Sequence, residues 1–237
     1  ARVSEDPGSG RFQLLRAVDE DRDQTYFLWG LTQAQLRHAH FPLGAMLKPA
    51  VRARAVELGL AVAEKPDSHE ICFVPGNDYG AFLSAYAAEQ HAALPDPEGE
   101  LVTSDGRVLG AHAGIQHFTV GQRKGLGVAV GKPLYVLQLD PARNRVTVGD
   151  GAGLMARSLR ASGCSWISGE APAQPIRVSA RIRHRHQPAP AWAEALPGGM
   201  LRVDFDESQR AITPGQAVVL SQGEVVLGGA WIDASAR

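Results

Sequence analysis

The hydrophobic period of this sequence changes once and does not change back. Before the break at Ala93-Leu94-Pro95-Asp96-Pro97-Glu98-Gly99 the apolar residues recur at helical spacing; after it they alternate to the C-terminus. A chain patterned in this way folds as α+β, a helical front followed by β-rich units. On the helical side, Thr32 and Gln35 form a capping-box pattern that predicts a helix from Gln33 to about His40, ended by Phe41-Pro42-Leu43-Gly44. A second helix takes Pro49 into its first turn, lines up Val51, Ala55 and Leu58, and stops at Gly59. Asn77 caps a third, whose stripe of Tyr79, Phe82, Leu83 and Tyr86 reads as core.

On the alternating side, Leu101-Val102-Thr103 and Arg107-Val108-Leu109 flank Ser104-Asp105-Gly106, a hairpin signal. Leu134 to Leu139 and Arg145 to Val148 flank a second turn at Pro141 to Asn144. Between these hairpins lies Gly121-Gln122-Arg123-Lys124-Gly125-Leu126-Gly127, a wide loop whose glycines and cations would let an anion approach backbone amides, although it matches no Walker pattern. A further break at Gly149-Asp150-Gly151-Ala152-Gly153 precedes more strands. In Ile176 to His186, Ile176, Val178, Ala180 and Ile182 alternate with Arg177, Ser179, Arg181, Arg183 and Arg185. One face packs; the other is a row of arginines, which repel one another unless an anion lies over them or water solvates them. Leu201 to Phe205, Ala217 to Ser221 and Val225 to Ile232 complete a small closed β unit.

Composition bounds function by exclusion. A net charge of -1 leaves no uniformly basic nucleic-acid binder, so RNA binding would need a local patch. No run approaches the length of a membrane helix and the first residues carry no signal-peptide pattern, so a cytoplasmic protein with no membrane contact is expected. Two cysteines do not make a disulfide framework, and no spaced Cys/His set holds zinc, so no metal site is expected.

The two cysteines differ in setting. Cys72, in Asp67-Ser68-His69-Glu70-Ile71-Cys72-Phe73, stands among polar and charged residues just before a turn at Pro75-Gly76, where amide dipoles favour a thiolate. The competing reading makes Ile71-Cys72-Phe73 a short buried strand with an inert thiol. Cys164 shares a face with Trp166 on an extended Leu159 to Ile167 and reads as a packing residue.

Taken together, Asp23-Gln24-Thr25-Tyr26-Phe27-Leu28, Phe41-Pro42-Leu43-Gly44, Lys48-Pro49 with Val51-Arg52, Lys65 to Phe73, Thr119 to Gly127, and Thr213-Pro214-Gly215-Gln216 with Gly228-Gly229 resemble the bacterial tRNA-specific 2-thiouridylases over nearly the whole chain. The resemblance implies sulfur transfer to C2 of the wobble uridine in tRNAs for lysine, glutamate and glutamine. ATP is consumed as a substrate to adenylate the uridine oxygen, and a cysteine persulfide, matched by Cys72, delivers sulfur. It implies tRNA contacts at Arg22, Asp23 and Gln24, with arginine where the family has lysine; at Arg183 and His184, with histidine where the family has tyrosine; and at Gln216. Each has a plainer reading: Asp23 and Gln24 cap Thr25 to Trp29, His184 fills a strand, and Gln216 serves its turn. The partners implied are tRNA and a sulfur donor such as a cysteine desulfurase or a sulfur-relay protein.

The family's Ser-Gly-Gly-x-Asp-Ser loop for ATP and its second, nucleophilic cysteine have no match in this sequence. The resemblance therefore implies the family's C-terminal portion, inactive alone. Residues 1–76 would be the helical tail of an ATP-pyrophosphatase (adenine nucleotide hydrolase-like) α/β domain carrying the persulfide loop. Two small antiparallel β domains would follow: a helix plus β domain at 77–153 and a tRNA-binding β-barrel at 154–237.

Overall fold

The alternation that begins at Gly99 is realised as strands, and it is their pairing that gathers the rest of the chain. A computed structural model describes residues 1–65, 79–90, 98–128 and 130–236. They fall into two compact units, Ala1–Lys65 together with Ala156–Arg237, and Pro66–Met155. Cys72 and the motif around it lie outside the described residues.

The first unit begins with a hairpin of β1 (Arg2–Glu5) and β2 (Phe12–Leu15), paired Arg2 to Leu15 through Glu5 to Phe12. Helix α1 (Gln33–Leu36) opens with the expected capping box: the Thr32 hydroxyl accepts from the Gln35 amide, and the Gln35 side chain accepts from the Thr32 amide. It lasts a single turn rather than reaching His40, and the Gln33 side chain at its start is committed sideways. Its amide nitrogen donates to the carbonyls of Phe12 (2.8 Å) and Ile167 (2.7 Å), and its oxygen accepts from the Phe12 amide. Helix α2 (Lys48–Glu57) has its proline in the first turn as expected, and Asp19 takes the Lys48 amide at 2.8 Å in place of a local cap. None of its residues is buried, and Val56 and Leu58 are about 60% exposed. Of the expected apolar face, Val51 and Ala55 are half-buried and Leu58 is exposed.

In the second unit, α3 (Tyr79–Glu89) buries Ala87 but leaves Tyr86 exposed and stacked on Phe82, so the aromatic stripe is only partly core. Strands β3 (Gly99–Thr103) and β4 (Val108–His112) form the hairpin expected around Ser104-Asp105-Gly106, with Gly106 at φ +85°. Strands β5 (Tyr135–Asp140) and β6 (Arg145–Gly149) form the other. The two join through a parallel β3–β6 pairing, giving the order β4-β3-β6-β5 over a core of Leu101, Ile115, Leu126, Leu134, Val136, Val146 and Val148.

The chain then returns to the first unit through β7 (Met155–Trp166), β8 (Ile176–Arg181), β9 (Ala189–Leu196), β10 (Met200–Arg210), β11 (Ala217–Gln222) and β12 (Val225–Ala236). The order is β1-β2-β12-β11-β8-β9-β10-β7, and β7 also pairs with β12, so six strands close into a barrel with the N-terminal hairpin added outside. Closure requires the Gly228-Gly229 pair. A Cβ on Gly228, at φ +152°, would stand 2.0 Å from the Ser165 carbonyl; one on Gly229 would stand 2.6 Å from the Val218 carbonyl and 2.8 Å from Trp29. The barrel is filled by Leu159, Val178, Ile182, Leu201, Phe205, Val218, Leu220 and Ile232 together with the small Ala189, Ala191 and Ala193 of β9. Strand β11 is buried on both faces. Val218 and Leu220 point into the barrel, while Ala217 and Val219 pack on Leu14, Tyr26, Trp29 and Leu36. Residues 1–36 are thus a second apolar layer on the barrel wall.

Candidate RNA-binding site

The short 3-10 turn Thr25–Phe27 carries the N-terminal layer onto the barrel rim. Its approach is fixed by Asp23, which is 2% exposed. One carboxylate oxygen accepts from the Ala17 amide at 2.9 Å and the other from the Thr25 hydroxyl, and it lies 3.9 Å from the Arg181 guanidinium. All of these contacts are internal, so Asp23 holds the turn through the Ala17 amide and the Thr25 hydroxyl and not as a helix cap, and Gln24, at the cap position, makes no side-chain cap hydrogen bond. Its neighbours Arg22 and Gln24 are exposed on either side.

The turn places Tyr26 inward and Phe27 outward. Tyr26 is 5% exposed, donates its hydroxyl to the Ala217 carbonyl at 3.0 Å and reaches the Gln216 side-chain oxygen at 3.5 Å. Burial raises its pKa, against smaller lowering effects of the Ala217 hydrogen bond and of Arg181 and Arg183, so it stays a neutral donor. Phe27 is 60% exposed. Its ring lies 4.9 Å from His184, and the Tyr26 ring lies 6.0 Å from the same imidazole. The sequence positions Gln24, Tyr26, Phe27, Arg183, His184 and Gln216 therefore meet on one rim.

The arginine row divides at this rim. Strand β8 ends at Arg181, not at His186; beyond it the chain turns, and the His186 amide donates to the Arg183 carbonyl at 3.0 Å. Arg177 is held by Asp206 and lies over Trp192, and Arg181 lies against Asp23. The protein thus supplies its own anions for the strand-borne arginines, which removes the repulsion argument for them. Arg183 and Arg185 stand on the turn instead, Arg183 donating to the Arg210 carbonyl at 3.1 Å and Arg185 exposed. Burial, with Arg16 adding to it, works against the charge on Arg181, and burial and Arg183 lower the pKa of His186.

This arrangement can bind but holds no nucleophile. Cys164 is half-buried against the barrel core, as its spacing from Trp166 implied, and burial pushes its thiol up to about 11, so it is a thiol and not a thiolate at neutral pH. Among the described residues no His, Cys, Asp and Glu group could hold a metal ion, and no helix is long and apolar enough to cross a membrane. Sequence reasoning did not single out Phe27 and Tyr26 as site residues, because a three-residue 3-10 turn has no periodicity to show which ring is outside. The signal was an aromatic pair one residue after Asp23-Gln24.

Residues 1–76 match the family model of a tRNA methyl transferase HUP domain, residues 89–150 that of a tRNA methyl transferase PRC-barrel domain, and residues 156–232 that of an aminomethyltransferase beta-barrel domain. The tRNA-specific 2-thiouridylase MnmA of Solibacter usitatus is 53% identical over 236 residues, covering 98% of this chain and 64% of that protein. The protein of the same description from Koribacter versatilis is 55% identical over 224 residues, 94% of this chain and 60% of that one. That from Acetivibrio thermocellus is 45% identical over 229 residues, with coverage of 97% and 62%. The chain spans less than two thirds of the length of these relatives.

Proposed function

This chain belongs to the tRNA-specific 2-thiouridylase family, and from that premise we propose that it serves 2-thiolation of the wobble uridine in tRNAs for lysine, glutamate and glutamine. The observation that supports an RNA partner is the rim itself. An exposed phenyl ring, an imidazole, an amide and two turn-borne arginines converge there, and among the described residues no carboxylate forms an ion pair with these arginines. Phe27 and His184 stack on an unpaired base or ribose; Arg183 meets phosphate; Gln216 and Gln24 offer amides. Asp23 acts as a positioning residue, since it fixes the turn that presents Phe27.

Residues 1–76 belong, in this reading, to the tail of an ATP-pyrophosphatase domain, 77–153 to a central unit, and 154–237 to the tRNA-binding barrel. ATP enters as a substrate that activates the uridine C2 oxygen, and no residue of this chain is assigned to it. Cys72 carries the persulfide, whose outer sulfur attacks C2 as AMP leaves; a second thiol, the role of the family's nucleophilic cysteine that has no match in this sequence, then attacks the Cys72 sulfur, so that the S–S bond breaks, a disulfide forms and the thiocarbonyl is released. A thiol with this task has to meet an outside sulfur donor and then the uridine, so it needs an accessible setting near positive charge. Cys164, raised by burial, does not supply one. The reaction is placed in the cytoplasm.

Two measurements test this. In fluorescence anisotropy with a labelled tRNA, Phe27→Ala weakens binding roughly tenfold or more, at the scale of about 1–3 kcal/mol for a stacked base. Arg183→Ala weakens it and flattens its salt dependence. Affinity and salt slope unchanged in both variants would remove RNA from the rim. Incubation with a cysteine desulfurase and cysteine adds one sulfur at Cys72, lost in Cys72→Ser. No adduct, in a chain extended to the relatives' full length, would leave an RNA-binding module without the transfer step.

A further inference from the structure

The second unit has a cationic feature of its own. Between Asp105 and Asp140 the sequence has no Asp or Glu and carries Arg107, Arg123, Lys124 and Lys132, four cations in a protein whose net charge is -1. Arg123 and Lys124 stand next to each other, both exposed, at the tip of the loop from Gly121 to Gly127. Two other exposed arginines of this unit hold a carboxylate: Arg143 holds Asp140 at 3.0 Å and Arg145 holds Glu100 at 2.8 Å. Arg123 and Lys124 have no carboxylate within 4.0 Å among the described residues.

The loop is braced rather than loose. The Gln122 side chain folds over it, accepting from the Thr119 amide at 2.9 Å and donating to the Lys124 carbonyl at 2.9 Å. Two backbone bonds tie it to β5, Gly121 amide to Val136 carbonyl at 2.8 Å and Val136 amide to Gln122 carbonyl at 2.9 Å. Leu126 anchors the far end in the core, and Gly121, Gly125 and Gly127 take the positive φ values (+90°, +74°, +72°) that the tight path needs. The result is two adjacent charges fixed on a pre-formed loop and left without an internal partner. Adjacent like charges held together are costly, and an anion with more than one negative group along its length removes that cost.

We propose that the loop Gly121–Gly127 is a separate RNA-contacting site, in which Arg123 and Lys124 bind consecutive phosphodiester groups of the tRNA backbone. The site reads charge and spacing and not base identity, since it presents no aromatic ring. It rests on the reading of tRNA as the partner and adds to it a grip from the second unit. Gln122 is its positioning residue.

The test is the salt dependence of tRNA binding by the whole chain, measured by anisotropy between about 50 and 300 mM salt. Arg123→Ala with Lys124→Ala lowers the slope of log Kd against log salt by about 1–2 and weakens binding roughly tenfold at low salt. Arg123→Lys keeps the slope, and Arg143→Ala, whose charge is already answered by Asp140, changes neither. Gln122→Ala weakens binding while the slope stays high, because the charges remain and only their placement is lost. If the unaltered chain binds tRNA and the double variant keeps both slope and affinity, the loop is not a contact and this proposal alone falls. If the unaltered chain does not bind tRNA, this proposal and the reading it rests on fall together.

Discussion

Removing the Asp23 carboxylate tests how the N-terminal layer is held on the barrel. In Asp23→Ala the Ala17 amide and the Thr25 hydroxyl lose their acceptor at a position where Asp23 is 2% exposed, so water replaces it poorly. The Arg181 side chain, 14% exposed, loses a countercharge at 3.9 Å. Arg16, which already works against the charge on Arg181, stays nearby. The bare attraction at that distance is about 4 kcal/mol at an effective dielectric of about 20, of which solvent contact leaves about half. Two orphaned buried donors add about 1 kcal/mol each, for a destabilisation of about 3–5 kcal/mol. In urea unfolding followed by tryptophan fluorescence, the midpoint should fall by about 1.5–2.5 M for a slope of about 2 kcal/mol per M. Adding Arg181→Met to Asp23→Ala should restore about 1–2 kcal/mol, because the uncompensated charge is then gone. A loss below about 1 kcal/mol in the single variant, or a double variant no more stable than the single, would refute a buried anchor at Asp23.

Three other contacts carry expectations of their own. Gly229→Ala should cost about 1–3 kcal/mol by thermal unfolding, since its methyl would meet the Val218 carbonyl and the Trp29 ring and the barrel strand cannot retreat; an unchanged melting temperature would show that it can. Cys164 should alkylate with iodoacetamide roughly a hundredfold more slowly at pH 8 than an ordinary exposed thiol, as a thiol raised to about 11 is almost wholly protonated there, and a rate equal to that of a model peptide would contradict the burial. His186 has its pKa lowered by burial and by Arg183, so the stability its neutral form allows is complete above the ordinary histidine value of about 6.5 and is lost as pH falls through the lowered folded value. Between pH 7.5 and 5, His186→Gln should therefore lose less stability than the unaltered chain, and identical pH profiles would remove His186 as a contributor.

The alternating pattern after Gly99 determined most of the strands, because a side chain that must point into or out of a sheet leaves a period of two whatever the strand's partner is. The hairpins at Ser104–Gly106 and Pro141–Asn144 were legible for a related reason, since their turn residues act locally. Strand β9 was not legible: Ala-Pro-Ala-Trp-Ala-Glu-Ala-Leu alternates, but its inward residues are alanines of weak β propensity beside a proline and it has no β-branched residue, so it is pairing with β8 and β10 on both sides that makes it a strand.

The candidate site divides in the same way. Its chemistry was written in the order of residues, since Asp23-Gln24, Arg183-His184 and Thr213-Pro214-Gly215-Gln216 are recognisable without knowing where they lie. What only the tertiary structure decided is that these three segments, separated by most of the chain, meet on one barrel rim, with Phe27 exposed between them and Asp23 turned inward. Barrel closure between β7 and β12 and the docking of residues 1–36 on β11 are contacts between residues far apart in sequence. Pattern fixes which face of a segment is apolar; which other apolar face it will meet depends on how all the segments can be buried at once.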